Sequence, residues 1–270
     1  MDDRLIDRYA AFIIDLDGVL YLQNEPVPGS AETVRGLAAA GKRFVLLTNN
    51  SAPTLEQYVD KLGRFGIEVL QEQIISSAQA VRRYLEINHD VEGKTAFAIG
   101  EEGLLSELAD MGLMLLTGDE ASDADFVFVG WDRHFDFEKL KSAATAVRRG
   151  AIYIAANTDA TYPTPEGLWP GAGSLVAAVS TASGQEPVVA GKPSPLIVRA
   201  ALERMEANAG DALLVGDRLD SDIAAGLAAG VDTLLVLTGV STEKEIELAG
   251  IHPTHIRKNL AGLLEDQAYR

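Results

Sequence analysis

The chain contains no cysteine. Disulfide scaffolds, zinc–thiolate sites and thiol nucleophiles are excluded, so any nucleophile must come from another residue type. Basic residues are also scarce, with 23 Lys and Arg against 40 Asp and Glu and a net charge of -17. Such a chain repels polyanions at long range, which disfavours broad duplex binding and docking on anionic lipid. No uninterrupted apolar run approaches the ~18 residues a bilayer span needs. The opening Met1-Asp2-Asp3-Arg4 is acidic and lacks the basic stretch leading into an apolar one that marks a secretory leader. Together these absences point to a cytoplasmic protein that engages neither nucleic acid nor membrane.

What is present is a globular composition. Apolar residues make up 47% and charged residues 23%, close to ordinary soluble domains, so disordered and fibrous structures are poor readings. A length of 270 residues suits one large domain or two modest ones. Short apolar runs at 12–14, 44–47, 95–99, 126–129, 152–155, 188–190, 213–215 and 233–237 alternate with amphipathic stretches of helical length. That alternation predicts an α/β fold with a parallel sheet and helical crossovers. Ser30 reads as a helix cap with Gly41 as the stop, Thr54 and Gln57 as a capping box, and Pro193-Ser194-Pro195 as a helix start. Polar joints at Ser76-Ser77-Ala78 and at 183–187 bracket a central block. We read residues 78–185 as an inserted domain, and 1–77 with 186–270 as one discontinuous core.

Four strand ends carry polar residues that packing does not require, and in an open parallel sheet the carboxyl edge is where ligands bind. The first is Ile14-Asp15-Leu16-Asp17-Gly18, where two acids two apart point to one side. The pair calls for a bound metal or a shared proton; a solvated acidic turn is the bland alternative. The second, Thr48-Asn49-Asn50, offers neutral donors suited to cradling an anion, or an Asn-rich turn with a helix cap. In the third, Gly191-Lys192-Pro193, the lysine supplies a compact charge or is an ordinary exposed side chain. The fourth, Gly216-Asp217-Arg218-Leu219-Asp220-Ser221-Asp222, gathers hard oxygen ligands of the kind Mg²⁺ takes, with Asp220 and Asp222 also able to cap the next helix.

As an ordered set, Asp15-x-Asp17-Gly18, Thr48-Asn49-Asn50, Gly191-Lys192-Pro193 and Gly216-Asp217 with Asp222 resemble the four motifs of the haloacid dehalogenase-like hydrolase superfamily. Tyr21, the Thr-Asn-Asn form and Gly-Lys-Pro-Ser-Pro resemble its class IIA, NagD-type phosphatases. The resemblance covers nearly the whole chain. It implies a doubly wound, Rossmann-like core with an inserted α/β cap at 78–185. Function by this resemblance is Mg²⁺-dependent hydrolysis of small phosphomonoesters through an aspartyl-phosphate. Asp15 is then the nucleophile and Asp17 the acid, later the base. Asp15, the Asp17 backbone carbonyl and Asp217 hold the Mg²⁺, with Asp222 orienting metal-bound water. Thr48, Asn49, Asn50 and Lys192 hold the phosphoryl oxygens. The segment 157–163 resembles the subfamily's specificity loop, which gives Asp159 and Tyr162 a role in substrate choice. The partner is a small phosphorylated metabolite, and the resemblance is compatible with a homo-oligomer formed through the cap. A phosphotransferase or mutase, and a phosphate-sensing module without catalysis, stay open as alternatives.

Overall fold

The computed structural model describes residues 4–164 and 166–265, so the acidic opening Met1-Asp2-Asp3 lies outside the described residues. Five strands precede the central segment: β1 (Ala11–Asp15), β2 (Tyr21–Leu22), β3 (Glu25–Pro26), β4 (Arg43–Thr48) and β5 (Ile74–Ser76). Seven follow: β6 (Thr95–Ile99), β7 (Met114–Leu115), β8 (Phe126–Val129), β9 (Ile152–Ala155), β10 (Thr161–Thr164), β11 (Gly167–Pro170) and β12 (Val188–Val189). The last three are β13 (Ala212–Gly216), β14 (Asp232–Val236) and β15 (His255–Arg257). Two compact units result. The first takes the described residues up to Thr48, then Tyr58–Ile75, then those from Pro193 onward; the second takes Asn49–Gln57 and Ser76–Lys192.

The first unit is organised by a six-stranded sheet in the order β15-β14-β13-β1-β4-β5. Each neighbouring pair from β15 through β4 is parallel. Every residue of β1 is buried, because a parallel strand covered on both faces by crossover helices needs a continuous apolar run. Helix Ser30–Ala39 makes the crossover from the β1 side to β4, and Ala224–Ala229 that from β13 to β14. Ser30 is not the cap of its helix. Gly29, at φ 85°, precedes the first turn, and the buried Ser30 Oγ has no hydrogen-bond partner among the described residues. The stop falls as read, with Gly41 at φ 66° just past the helix.

The second unit holds a parallel sheet in the order β12-β9-β8-β6-β7 and the antiparallel hairpin β10-β11. Its core is built from Phe97, Ile99, Val127, Val129, Tyr153 and Val179 among others. Here one expectation is corrected. The run at 188–190 does not join the outer sheet: β12 pairs with β9, Val188 with Ile154 and Val189 with Ala155. Residues 186–192 therefore go with the central segment, and the division falls at 192/193 where the sequence reading put it at 185/186. The other edge lies at 75/76, because Ser76-Ser77-Ala78 is no linker but the end of β5 running straight into helix Ser77–Asn88.

Candidate active site

In the first unit, β13 and β1 are parallel neighbours with Ile14 level with Val215, so Asp15 and Asp217 emerge together at the carboxyl edge. Asp222 lies in the irregular turn Leu219–Ile223, where its Oδ2 accepts a hydrogen bond from Arg218 N at 3.1 Å. Asp15, Asp217 and Asp222 are all buried, and one carboxylate oxygen from each lies within 4.8 Å of the others. Two carboxylates that close repel by about 4 kcal/mol at an effective dielectric constant near 20. Three buried together are stabilised by a positive counter-charge or by a shared proton. An all-oxygen, all-anionic donor set suits a small hard divalent cation, so the residues present fit the metal that the motif order implied. Asp222 stands in that carboxylate group, whereas the Asp17 side chain does not.

Asp17 is half-buried beside the cluster. The Tyr21 hydroxyl donates to its Oδ2 at 3.3 Å, and the Lys61 ammonium sits 3.7 Å above the Tyr21 ring. Burial pushes the Lys61 ammonium below its ordinary range, and the negative charge of Asp17 works against that shift. Gly18 makes this turn possible. Its φ of +86° is strained for any other residue, and a Cβ there would collide with the Asp217 carboxylate. Thr48, buried, ends β4, which pairs with β1 at the same edge.

The second unit carries the remaining candidates. Lys192 follows β12, so it stands on the second sheet and not on the edge that carries Asp15, where the sequence reading had placed it. Its side chain is buried, at 3% exposure. Asn49 is the hub around it. Its Oδ1 accepts from Lys192 N at 2.8 Å, and its Nδ2 donates to the Lys192 carbonyl at 2.9 Å and to both Asp159 oxygens at 3.0 and 3.1 Å. The Asn49 carbonyl accepts from Ser77 Oγ and Asn157 Nδ2, each at 2.6 Å. Both amide hydrogens of Asn49 are thus committed within the protein. Asn50 Oδ1 accepts from Ala52 N at 3.0 Å, which fixes a turn. Thr54 and Gln57 form the reciprocal capping box that their spacing called for.

Tyr162 lies in β10 and packs against Trp131, with ring centroids 4.5 Å apart. They line a cleft of about 460 Å³ together with Asn50, Gln57, Glu101, Glu102, Arg133, Glu166 and Trp169. Arg133 is clamped by two bonds from its guanidinium to the Glu101 carboxylate, at 2.8 and 2.6 Å. That pairing holds the Glu101 carboxyl below its usual range. Trp131, Arg133 and Glu101 escaped the sequence reading. Their signals were Gly100-Glu101 directly after β6 and Gly130-Trp131-Asp132-Arg133 directly after β8, strand ends of the same kind as the four that were read.

Comparison with known proteins identifies the family. A model of haloacid dehalogenase-like hydrolases matches residues 12–114, and a HAD-hydrolase-like model matches 189–263. The acid sugar phosphatase of Staphylococcus saprophyticus is 36% identical over 96% of this chain and 98% of its own. The structure of NagD from E. coli K-12 is similar at a TM-score of 0.85 and 36% identity, over 94% of this chain and 97% of that one. That of glycerol phosphate phosphatase from Mycobacterium tuberculosis, in complex with calcium, aligns at a TM-score of 0.88 and 35% identity, over 97% and 76%. Likeness of this extent in sequence and in fold, together with the carboxylate cluster, shows that the chain belongs to the haloacid dehalogenase-like hydrolases, as a NagD-type member.

Proposed function

We propose that the protein is a Mg²⁺-dependent phosphatase of small phosphomonoesters whose leaving group is an uncharged alcohol, such as sugar and polyol phosphates. The observation that carries this reading is the meeting of Asp15, Asp217 and Asp222 at the carboxyl edge with Asp17 beside them. Asp15, Asp217 and the backbone carbonyl of Asp17 would hold the cation, with Asp222 next to it. When bound, the cation neutralises phosphoryl oxygens and the charge that develops on them.

In this reading an Asp15 oxygen attacks phosphorus, the bond to the leaving oxygen breaks, and Asp17 delivers its proton to that oxygen. Water then attacks the aspartyl-phosphate, Asp17 takes its proton, phosphate leaves and the Asp15 carboxylate is restored. The Tyr21 hydroxyl orients Asp17 for both transfers. Thr48, Asn50 and Lys192 contact the phosphoryl oxygens, while the committed amide of Asn49 supports a role in positioning Lys192 and Asp159. Residues of the second unit act as the cap. Its cleft supplies aromatic faces, Tyr162 and Trp169, on which a sugar ring can stack, and acceptors, Glu102 and Glu166, for its hydroxyls. The relatives' activities on sugar and glycerol phosphates support this choice.

The test is hydrolysis of p-nitrophenyl phosphate and of a panel of sugar phosphates. Mg²⁺ should stimulate turnover, EDTA should abolish it, and Asp15→Asn should lower kcat by on the order of 10³-fold or more. An Asp15→Asn variant of undiminished activity removes the nucleophile and, with it, the mechanism.

A further inference from the structure

The chain beyond β14 makes a feature that neither the motifs nor the carboxylate chemistry requires. Residues Thr238-Gly239-Val240-Ser241 cross the carboxyl edge and bond to both loops that carry the acidic cluster. The Thr238 hydroxyl donates to the Gly18 carbonyl at 2.5 Å, one peptide beyond Asp17. Val240 N donates to Asp217 Oδ2 at 2.7 Å, and Ser241 N donates to the Asp217 carbonyl at 3.0 Å. Ser241 Oγ accepts from Leu219 N at 3.0 Å, on the far side of Asp217. Asp217 is therefore held at its side chain, its own carbonyl and the loop that follows it.

Residue choice in the segment fits this task. Gly239 passes so close that a Cβ would overlap the Asp217 carboxylate. Val240 is half exposed, so burial of its side chain is not what places it there; its backbone N–H is the working group. A backbone N–H aimed at a carboxylate is a charge-assisted bond, and one donated from a segment that is also tied to Gly18 fixes the separation of the two loops.

Resting on the metal reading above, we propose that Thr238-Gly239-Val240-Ser241 is a positioning strap. It holds the Asp15–Gly18 turn and the Asp217 loop at the spacing a divalent cation needs, and contributes no ligand of its own. Without it, the mutual repulsion of Asp15, Asp217 and Asp222 pushes the loops apart, and the cation must gather them at its own expense in affinity.

The strap is tested by titrating the full chain with Mn²⁺ in a calorimeter, in parallel with urea unfolding of the metal-free protein. Thr238→Val removes the bond to Gly18 and should weaken Mn²⁺ binding roughly 3- to 10-fold, the size of one lost neutral hydrogen bond. Thr238→Ser keeps the hydroxyl and should restore the affinity. Gly239→Ala should weaken binding by at least about tenfold, because the added methyl must displace the carboxylate. Thr238→Val and Gly239→Ala should lose kcat more than they raise KM, with partial recovery at high Mg²⁺. Thr238→Val with wild-type Mn²⁺ affinity, or Thr238→Ser no better than Thr238→Val, overturns the strap while leaving the phosphatase reading intact. A wild-type chain that binds no Mn²⁺ overturns the metal reading, and the strap falls with it.

Discussion

Asn49 illustrates how a side chain with the chemistry of a ligand can be committed to structure instead. Its amide has two hydrogens, and Asp159 and the Lys192 carbonyl take them, while its Oδ1 serves Lys192 N. Replacing it with alanine leaves a buried backbone N–H and C=O of Lys192 without these partners. The penalty for such orphaned groups is about 1–3 kcal/mol. Asn49→Ala should therefore lower the unfolding free energy measured in urea by that amount and disturb Lys192, and Asn49→Asp should be worse, since a second carboxylate would then face Asp159. If Asn49→Ala instead unfolds like wild type but raises KM sharply for every substrate, its amide contacts phosphate and the hub is incidental.

Helix Phe137–Arg148 is the element best explained by local rules. Asp136 caps it, accepting from Lys139 N at 2.8 Å. Lys139 then reaches back with its ammonium to the buried Asp132 at 2.6 Å. Losing a cap costs ~0.5–2 kcal/mol, so Asp136→Ala should destabilise by about 1 kcal/mol. Removing one partner of a fully buried ion pair costs ~3–5 kcal/mol; because Lys139 is 31% exposed and Asp132 keeps a bond from His134 N, Lys139→Met should cost less, about 2 kcal/mol. Thermal unfolding of both variants checks the order, and a larger loss from Asp136→Ala would invert it. Elements of this kind were legible because their signals are local: the Thr54–Gln57 box, Ser194 before Pro195, and the apolar runs of β1, β4 and β13 all stand where the sequence put them. Strands of two or three residues were harder to read: β7 and β15 were missed, and β12, read as a strand at 188–190, was put on the wrong sheet, because which sheet so short a strand joins is decided by pairing partners far away in the chain. That is why Lys192 was read as a neighbour of Asp15 on one sheet. Asp15 and Asp217 were readable because each stands at the end of a buried strand, whereas the strap was not, because the Thr238 and Ser241 hydroxyls meet loops distant in the chain and leave no local signal.

At the scale of the whole molecule, pH is the sharpest lever, because titratable groups are buried far from the acidic cluster. Tyr9, buried before β1, donates its hydroxyl to Asp232 at 2.7 Å and lies 2.9 Å from His255 Nε2. Burial pushes the His255 imidazole below its ordinary value near 6.5, reinforced by the cations Arg8 and Arg257 and opposed by Asp232. Below about pH 6.5 the unfolded chain therefore takes up a proton that the folded chain refuses. Stability contributed by the neutral imidazole is present above that pH and is lost as pH falls toward the folded pKa. The phenol of Tyr9 works at the other end. Burial and its bond to Asp232 raise its pKa above the ordinary 10, so the folded state keeps a proton that the unfolded state releases, and this stabilisation fades as pH rises beyond about 10. A net charge of -17 adds its own trend, since acidification relieves self-repulsion in both states. The comparison that isolates the imidazole is thus wild type against His255→Gln, unfolded in urea at pH 7.5 and at pH 5.5. Wild type should lose more stability between the two than the variant does; equal losses would mean that His255 is solvated in the folded protein and that Tyr9 and Asp232 hold this end of the sheet without it.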